Sequence, residues 1–345
     1  MTEQLRVGIV GTGVMGSGHA RFITSSVPQA RVAAITDVDQ MRAAALADEL
    51  GGHVAVFKSP EDFFCAGAVD AVIIATPDHL HPDHLRLAIA RGIPTLCEKP
   101  IASTVTLAAV IAREIRDDER ANNRRLIHFG FMRRFDPSYL KVRKLLASGN
   151  FGLPLFVRAV TRNVSSANIT TEGIFTNIAV HDFDTFRWLL HSEWKSVESF
   201  YPRQSSLSPR DLSDPLIFTA QLENDILVVG DIIANNHYGY DVRTEFVCES
   251  GSIEIGIHGD VITRADHVSG VLRGGSMDEN WIPRFSAAYI GELNAWTESV
   301  RSGIPHPDLA TVDDAVAASN ACAMGIAGIR SPGSIGLTLA GTRSD

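Results

Sequence analysis

The segment from Leu5 to Gly16 constrains the fold of this chain more than any other. Leu5–Val10 reads as a buried strand and runs straight into Gly11-Thr12-Gly13-Val14-Met15-Gly16, after which Gly16–Ser25 reads as a helix. Each glycine has its own task in a strand–turn–helix of this kind. Gly11 permits the tight turn, Gly13 lets the backbone approach a pyrophosphate, and Gly16 allows the helix to pack closely on the strand. The helix then opens at Val14 and Met15, where unpaired N–H groups and a partial positive charge face any bound phosphate. Asp37 ends the second strand, 21 positions beyond Gly16. Its carboxylate suits ribose hydroxyls and repels a 2′-phosphate, and Val38 follows it where an arginine would favour the phosphate. The expected cofactor is therefore NAD. A helix N-cap is the competing role for Asp37.

The rest of the first half keeps the same rhythm. Strands are expected at Val32–Thr36, Val54–Phe57, Ala71–Thr76, Pro94–Cys97 and Leu126–Phe131, with helices at Gln40–Leu50, His84–Arg91 and Ser103–Arg116 between them. Alternation of this type builds a doubly wound parallel α/β sheet, a Rossmann domain. The second half changes character. β-like runs at Val157–Arg162, Ile217–Leu222, Leu227–Ala234, Arg243–Cys248 and Ser252–Ile257 predict an α+β domain around a large, open, mostly antiparallel sheet. Helices are expected at Ile178–Leu190, Ala287–Arg301 and Thr311–Ile329, and a loop at Gly270–Arg284. The division falls at 1–129 for nucleotide binding and 130–345 for substrate binding and oligomerisation.

Two further motifs sit at carboxyl ends of parallel strands, where open α/β sheets bind ligands. Thr76-Pro77-Asp78-His79-Leu80-His81 follows the fourth strand, and Cys97-Glu98-Lys99-Pro100 follows the fifth. Together with the glycine turn, these motifs resemble the glucose–fructose oxidoreductase / inositol dehydrogenase (Gfo/Idh/MocA) family over essentially the whole chain. The run Gly130 to Asp136 is similar to the GFMRRYD segment of inositol dehydrogenases, and His237 to Val242 to their YGYD segment. The resemblance implies that Thr76, Pro77, His79, His81, Glu98 and Lys99 border the cofactor. It implies that Lys99 assists proton transfer and binds substrate. The family's DxxxH pair corresponds to Asn177 and His181, so the histidine is kept and the aspartate is replaced. Thr161 replaces a family histidine before Arg162-Asn163. Arg133 and Tyr240 are expected at neighbouring substrate hydroxyls, and Arg133 is equally suited to a structural ion pair.

Helical periodicity puts Asn177, His181, Asp184 and Trp188 on one stripe, with Ala179, Phe183, Phe186 and Leu190 opposite. The first stripe is expected to line the cleft, with His181 as general acid/base, Lys99 stabilising the reacting oxygen and Asn177 orienting the histidine. The expected activity is NAD-dependent oxidation of a secondary hydroxyl on a cyclic polyol or sugar. Monosaccharides, anhydrosugars and glycosides are alternative substrates, and a non-catalytic NAD-binding sensor is the alternative from another class.

Charge and composition narrow the field. Hydrophobic residues make up 45%, and the net charge of −9 comes with no basic stripe, which argues against nucleic acid as a partner. No uncharged apolar run approaches a membrane span, and Met1 to Arg6 does not read as a secretory signal. Four widely spaced cysteines suggest reduced thiols in the cytoplasm. His79, His81 and His84 span a turn without a fixed ligand face, so no metal is expected. The resemblance implies a homo-oligomer, a tetramer or dimer built through the second sheet.

Overall fold

The computed structural model of the chain describes residues 3–166, 169–256, 261–264 and 278–330. The first sheet is parallel, in the order β3-β2-β1-β4-β5-β6. Its strands are β1 (Leu5–Val10), β2 (Ala30–Thr36), β3 (Ala55–Phe57), β4 (Ala71–Ile74), β5 (Thr95–Cys97) and β6 (Ile127–Phe129). The connecting helices are α1 (Val14–Ser26), α2 (Gln40–Glu49), α3 (Pro60–Cys65), α4 (His81–Arg91) and α5 (Val105–Asn122). These strands read as unbroken apolar runs because helices cover both faces. Val7, Ile9, Ile35 and Ile73 pack with residues of α1 and α2, while Val10, Val72 and Ile74 face α3, α4 and α5. The strand order reverses between β1 and β4, which opens a crevice above their carboxyl ends.

After α6 (Pro137–Ala147) the chain enters a second sheet, in the order β13-β12-β11-β7-β10-β9-β8-β14. Its strands are β7 (Pro154–Arg162), β8 (Trp194–Phe200), β9 (Leu216–Leu222), β10 (Leu227–Ile233), β11 (Asp241–Cys248), β12 (Gly251–Ile255), β13 (Val261–Arg264) and β14 (Ile329–Arg330). Most neighbours are antiparallel; β7 with β10 and β8 with β14 are parallel. Burial alternates along β9 and β10 and along most of β7 and β11. Val157, Phe218, Val228 and Phe246 are buried under the helices, while Phe156, Val160, Ile217, Val229 and Ile233 stay half-exposed on the outer face.

Three helical pieces run in series before β8: α7 (Thr171–Gly173), a π-helical turn (Ile174–Ala179) and α8 (Val180–Leu190). The sequence predicts the helix only from Ile178. Two long helices, α9 (Trp281–Ser302) and α10 (Val312–Ala327), follow. α9 starts earlier than its expected Ala287 and shortens the expected Gly270–Arg284 loop; residues 270–277, like Ile257 at the end of the expected strand, lie outside the described residues. α9 touches both cores. Leu293 and Trp296 pack with Val7 and Ile9 of the first sheet, whereas Phe285, Ala288 and Tyr289 join the second core. Among the described residues no helix is long and apolar enough to cross a membrane.

The expected polar stripe on α8 holds only for its first part. Asp184 turns inward, 1% exposed, and binds the Arg134 guanidinium at 2.5 and 2.9 Å. Trp188 is also buried, stacked against the Arg143 guanidinium. The π turn precedes His181, so it shifts the phase of Asn177 relative to α8, whereas Asp184 and Trp188 leave the stripe through their own buried partners. Arg134 meets a second carboxylate, Asp314 of α10, at 3.1 Å. Removing Asp184 should therefore leave a buried guanidinium half-compensated. We expect Asp184→Ala to lower the unfolding free energy by about 3–5 kcal/mol, measured by urea titration. A loss below about 1 kcal/mol would mean that Asp314 alone satisfies Arg134.

Candidate active site

The glycine turn shows the expected division of labour. Gly11 has φ +91°, and a Cβ there would stand 2.7 Å from the Ala75 carbonyl oxygen. A Cβ on Gly16 would meet the Gly11 carbonyl oxygen at 1.8 Å. A Cβ on Gly13 would meet nothing within 4 Å, so the backbone there borders open space. Gly13 is also the N-cap of α1, with no side-chain cap and no acidic residue in the first turn. The helix thus presents bare N–H donors to that space, which suits a pyrophosphate.

Asp37 accepts hydrogen bonds from the Thr12 amide (2.6 Å), the Thr12 hydroxyl (2.9 Å), the Asp39 amide (2.8 Å) and Arg42 Nη2 (2.8 Å). Burial opposes its ionisation, but these donors together hold its carboxyl below the ordinary range. The cap of α2 is Asp39, not Asp37. Arg42 was not visible as part of this site because it lies a full helical turn beyond the strand. Val38 is 90% exposed.

A cleft of about 690 Å³ opens from the glycine turn toward the second sheet. Val14, Met15, Thr76, Pro77, Glu98 and Lys99 line its nucleotide side; Arg133, Thr161, Asn177, His181 and Tyr240 line the far side. Of the other expected cofactor neighbours, Gly11, Gly13, Gly16, Asp37 and Val38 are not in this lining, and two histidines stand elsewhere. His79 projects from the turn after β4, 64% exposed at its side chain. His81 is buried, its ring clasped between the Thr76 and Pro100 carbonyls at 2.8 and 2.7 Å. Both lie outside the cleft lining, His81 because those carbonyls consume its polar atoms and hold the two motif loops together. Asn163, Ser166, Trp281 and Tyr289 complete the walls and went unread, since no local motif marks them.

Lys99 leaves β5 through a cis peptide to Pro100 and donates from Nζ to the main-chain carbonyl of Asn177 at 3.1 Å. Asn177 therefore meets the lysine through its backbone, within the π turn. Burial lowers the pKa of the Lys99 ammonium, and the Glu98 carboxylate partly opposes this. His181 follows one residue into α8. Burial, then the charges of Lys99 and Arg133, hold its imidazole well below its ordinary pKa. Its Nδ1 is buried without a hydrogen-bond partner, so the expected orienting bond from Asn177 is not made at that atom.

Arg133 is buried against Asp182 and stacks over Phe285 at 5.5 Å. Burial opposes its charge, but Asp182 more than offsets this and raises its pKa. It is thus a structural ion-pair partner that still borders the cleft, with an unpartnered Nε. The Thr161 hydroxyl is likewise buried and unpartnered at the cleft wall. Tyr240 is 7% exposed, and burial raises its phenol pKa. The cleft thus brings two cations and one neutral imidazole together on a largely apolar wall.

Comparison with known proteins agrees with that geometry. Residues 5–121 match the family model of the Gfo/Idh/MocA oxidoreductases, NAD-binding Rossmann fold, and residues 139–254 match the GFO/IDH/MocA C-terminal domain. Inositol 2-dehydrogenase 1 of Saccharopolyspora erythraea is 38% identical over 301 residues, 87% of each chain. Inositol 2-dehydrogenase of Corynebacterium glutamicum is 37% identical over 310 residues, 88% of each chain. The crystal structure of myo-inositol dehydrogenase from Lactobacillus casei, in complex with NAD(H) and myo-inositol, superposes with a TM-score of 0.82. It covers 94% of both chains at 26% identity. The chain belongs to the Gfo/Idh/MocA family and is an NAD-dependent oxidoreductase acting on CH–OH groups.

Proposed function

We propose that the chain oxidises a secondary hydroxyl of a neutral cyclic polyol of the inositol type. One observation carries this reading: Lys99, His181 and the bare N-terminus of α1 open onto one cleft whose far walls are hydroxyl-, amide- and guanidinium-bearing. NAD, when bound, takes up the hydride from the carbinol carbon. Residues 1–129 hold it, with Gly11, Gly13 and Gly16 shaping the pyrophosphate turn and Asp37 at the ribose. Residues 130–345 supply the substrate wall. Lys99 hydrogen-bonds the reacting oxygen and stabilises its developing negative charge. His181, held neutral by burial and two nearby cations, receives the hydroxyl proton. Thr161, Asn177, Arg133 and Tyr240 meet the other hydroxyls. The unpartnered Thr161 hydroxyl and Arg133 Nε support that role, since a buried polar atom gains most from a ligand that satisfies it.

We further infer a homo-oligomer, dimer or tetramer, in the cytoplasm. The half-exposed apolar outer face of the second sheet suits a second copy, and all four cysteines are free thiols.

A screen of NAD reduction at 340 nm over cyclitols, aldoses, anhydrosugars and glycosides tests the substrate. Turnover is expected with cyclitols first; activity confined to charged acids or long-chain alcohols would refute the reading. Lys99→Ala should keep NAD affinity and lower kcat/KM by at least ~100-fold. A variant that retains most of its turnover would reduce Lys99 to a structural role. Asn177→Asp introduces an anion where only cations face His181. The added carboxylate raises the pKa of His181 and Lys99, so both lose their protons at higher pH. The ascending limb of kcat/KM for oxidation should move to higher pH by about one unit. Superimposable limbs would uncouple position 177 from the base.

A further inference from the structure

Beside Lys99, at the wall of the cleft, lies a polar contact that joins two elements distant in sequence. His19 of α1 is 1% exposed, and its Nε2 stands 2.7 Å from Glu98 Oε1. Its other nitrogen, Nδ1, is buried with no partner, so the ring serves with its hydrogen on Nε2, as a donor to the carboxylate. The edge of Tyr289 from α9 meets the ring, with centroids 5.8 Å apart and planes at 83°. The Glu98 carboxylate is walled in on its other side: a Cβ on Gly130 would stand 3.1 Å from Oε2. Glu98 thus has little freedom apart from the bond His19 supplies.

We propose that His19 is a positioning residue for the oxidation, holding Glu98 so that a fixed carboxylate stays beside Lys99. The inference rests on the reading that Lys99 acts on the substrate oxygen. The charged and titratable groups facing Glu98 are His19 from α1, Lys99 and Cys97 beside it, His81 from α4, and Tyr289 and Glu292 from α9. Those facing Lys99 are Glu98, Asp78, Cys322 from α10, Arg133 and His181. Burial opposes ionisation of Glu98, but the bond from His19 and the adjoining positive groups outweigh it and keep the carboxyl below its ordinary pKa. Glu292, 1% exposed behind it, is pushed well up by burial and by Glu98 itself. Without the His19 donor, Glu98 would be a desolvated carboxylate near a second acid and would take up a proton. Lys99 would then lose its first counter-charge, and its ammonium would release its proton at lower pH.

The same bond spans the two halves of the nucleotide site. α1 begins at the glycine turn, and Glu98 precedes the lysine on the loop after β5. His19 therefore fixes the distance between the phosphate-binding end and the lysine.

The test is the pH profile of kcat/KM, with NAD affinity by fluorescence and folding by circular dichroism, for His19→Ala, His19→Gln, Glu98→Gln and Lys99→Ala. His19→Ala should lower kcat by about tenfold and move the descending limb, where Lys99 loses its proton, about one unit toward acid, with NAD affinity changed by less than about twofold. His19→Gln, which keeps an N–H donor near the Nε2 position, should return the limb to that of the natural protein. Glu98→Gln, nearly isosteric, should reproduce the acid shift and decides the matter if His19→Ala does not fold. An unmoved limb in His19→Ala or Glu98→Gln, or an equal shift in His19→Gln and His19→Ala, overturns the proposal while an inactive Lys99→Ala leaves the lysine's role standing. A Lys99→Ala protein that keeps its turnover overturns both.

Discussion

Two buried ion pairs fix α8 against the turn that follows β6, and the candidate site depends on them. Arg133 and Arg134 follow β6 and reach Asp182 and Asp184 on α8, with Asp314 of α10 as a further partner. His181 immediately precedes the first of these aspartates. Its imidazole is thereby located relative to Lys99, which comes from a loop nearly eighty residues earlier. Buried pairs of this kind add little net stability over apolar packing, because desolvation offsets most of the attraction. They do penalise misplacement heavily, since any sliding of α8 would strand a charge in a nonpolar interior. Apolar contacts alone would hold the same helix less specifically.

The electrostatic character of the cleft follows from this arrangement. Arg133 is paired with Asp182, yet its charge still reaches His181 together with that of Lys99. With asparagine at 177, Glu98 supplies the largest opposing charge at the lysine and Asp78 a smaller one, and both line the cleft. A carboxylate at 177 would add a negative charge to the cleft, while the carbonyl that Lys99 meets belongs to the main chain and does not depend on that side chain. The π turn is where this carbonyl is presented, in keeping with the frequent occurrence of such turns at functional sites.

Much of the fold was legible because its signals are local. The strand–turn–helix at Leu5–Gly16, the parallel alternation to Phe129 and the antiparallel runs after Val157 all rest on periodicity and turn chemistry within short windows. Lys99 and His181 were legible through motif spacing. The remainder depends on tertiary encounters that no window contains. Asp184 faces the core instead of the cleft because it pairs there with the buried Arg134, which comes from a distant turn. His81 lies in a nucleotide motif, yet both its ring nitrogens meet carbonyls of the surrounding loops. Arg42 reaches Asp37 from a neighbouring helix, and Trp281 and Tyr289 reach the cleft from α9. Even the Arg133 ambiguity was settled by geometry: it is an ion-pair partner whose edge lines the cleft.

The placement of α9 has a mechanical consequence. At 22 residues it spans about 33 Å as a single rod. Its first half is wedged in the second core, with Phe285 under the Arg133 guanidinium, and its second half is anchored on the first sheet through Leu293 and Trp296. A hinge between the two sheets would have to bend this rod or pull one end from a packed interior. The pair is braced like a strut across a corner.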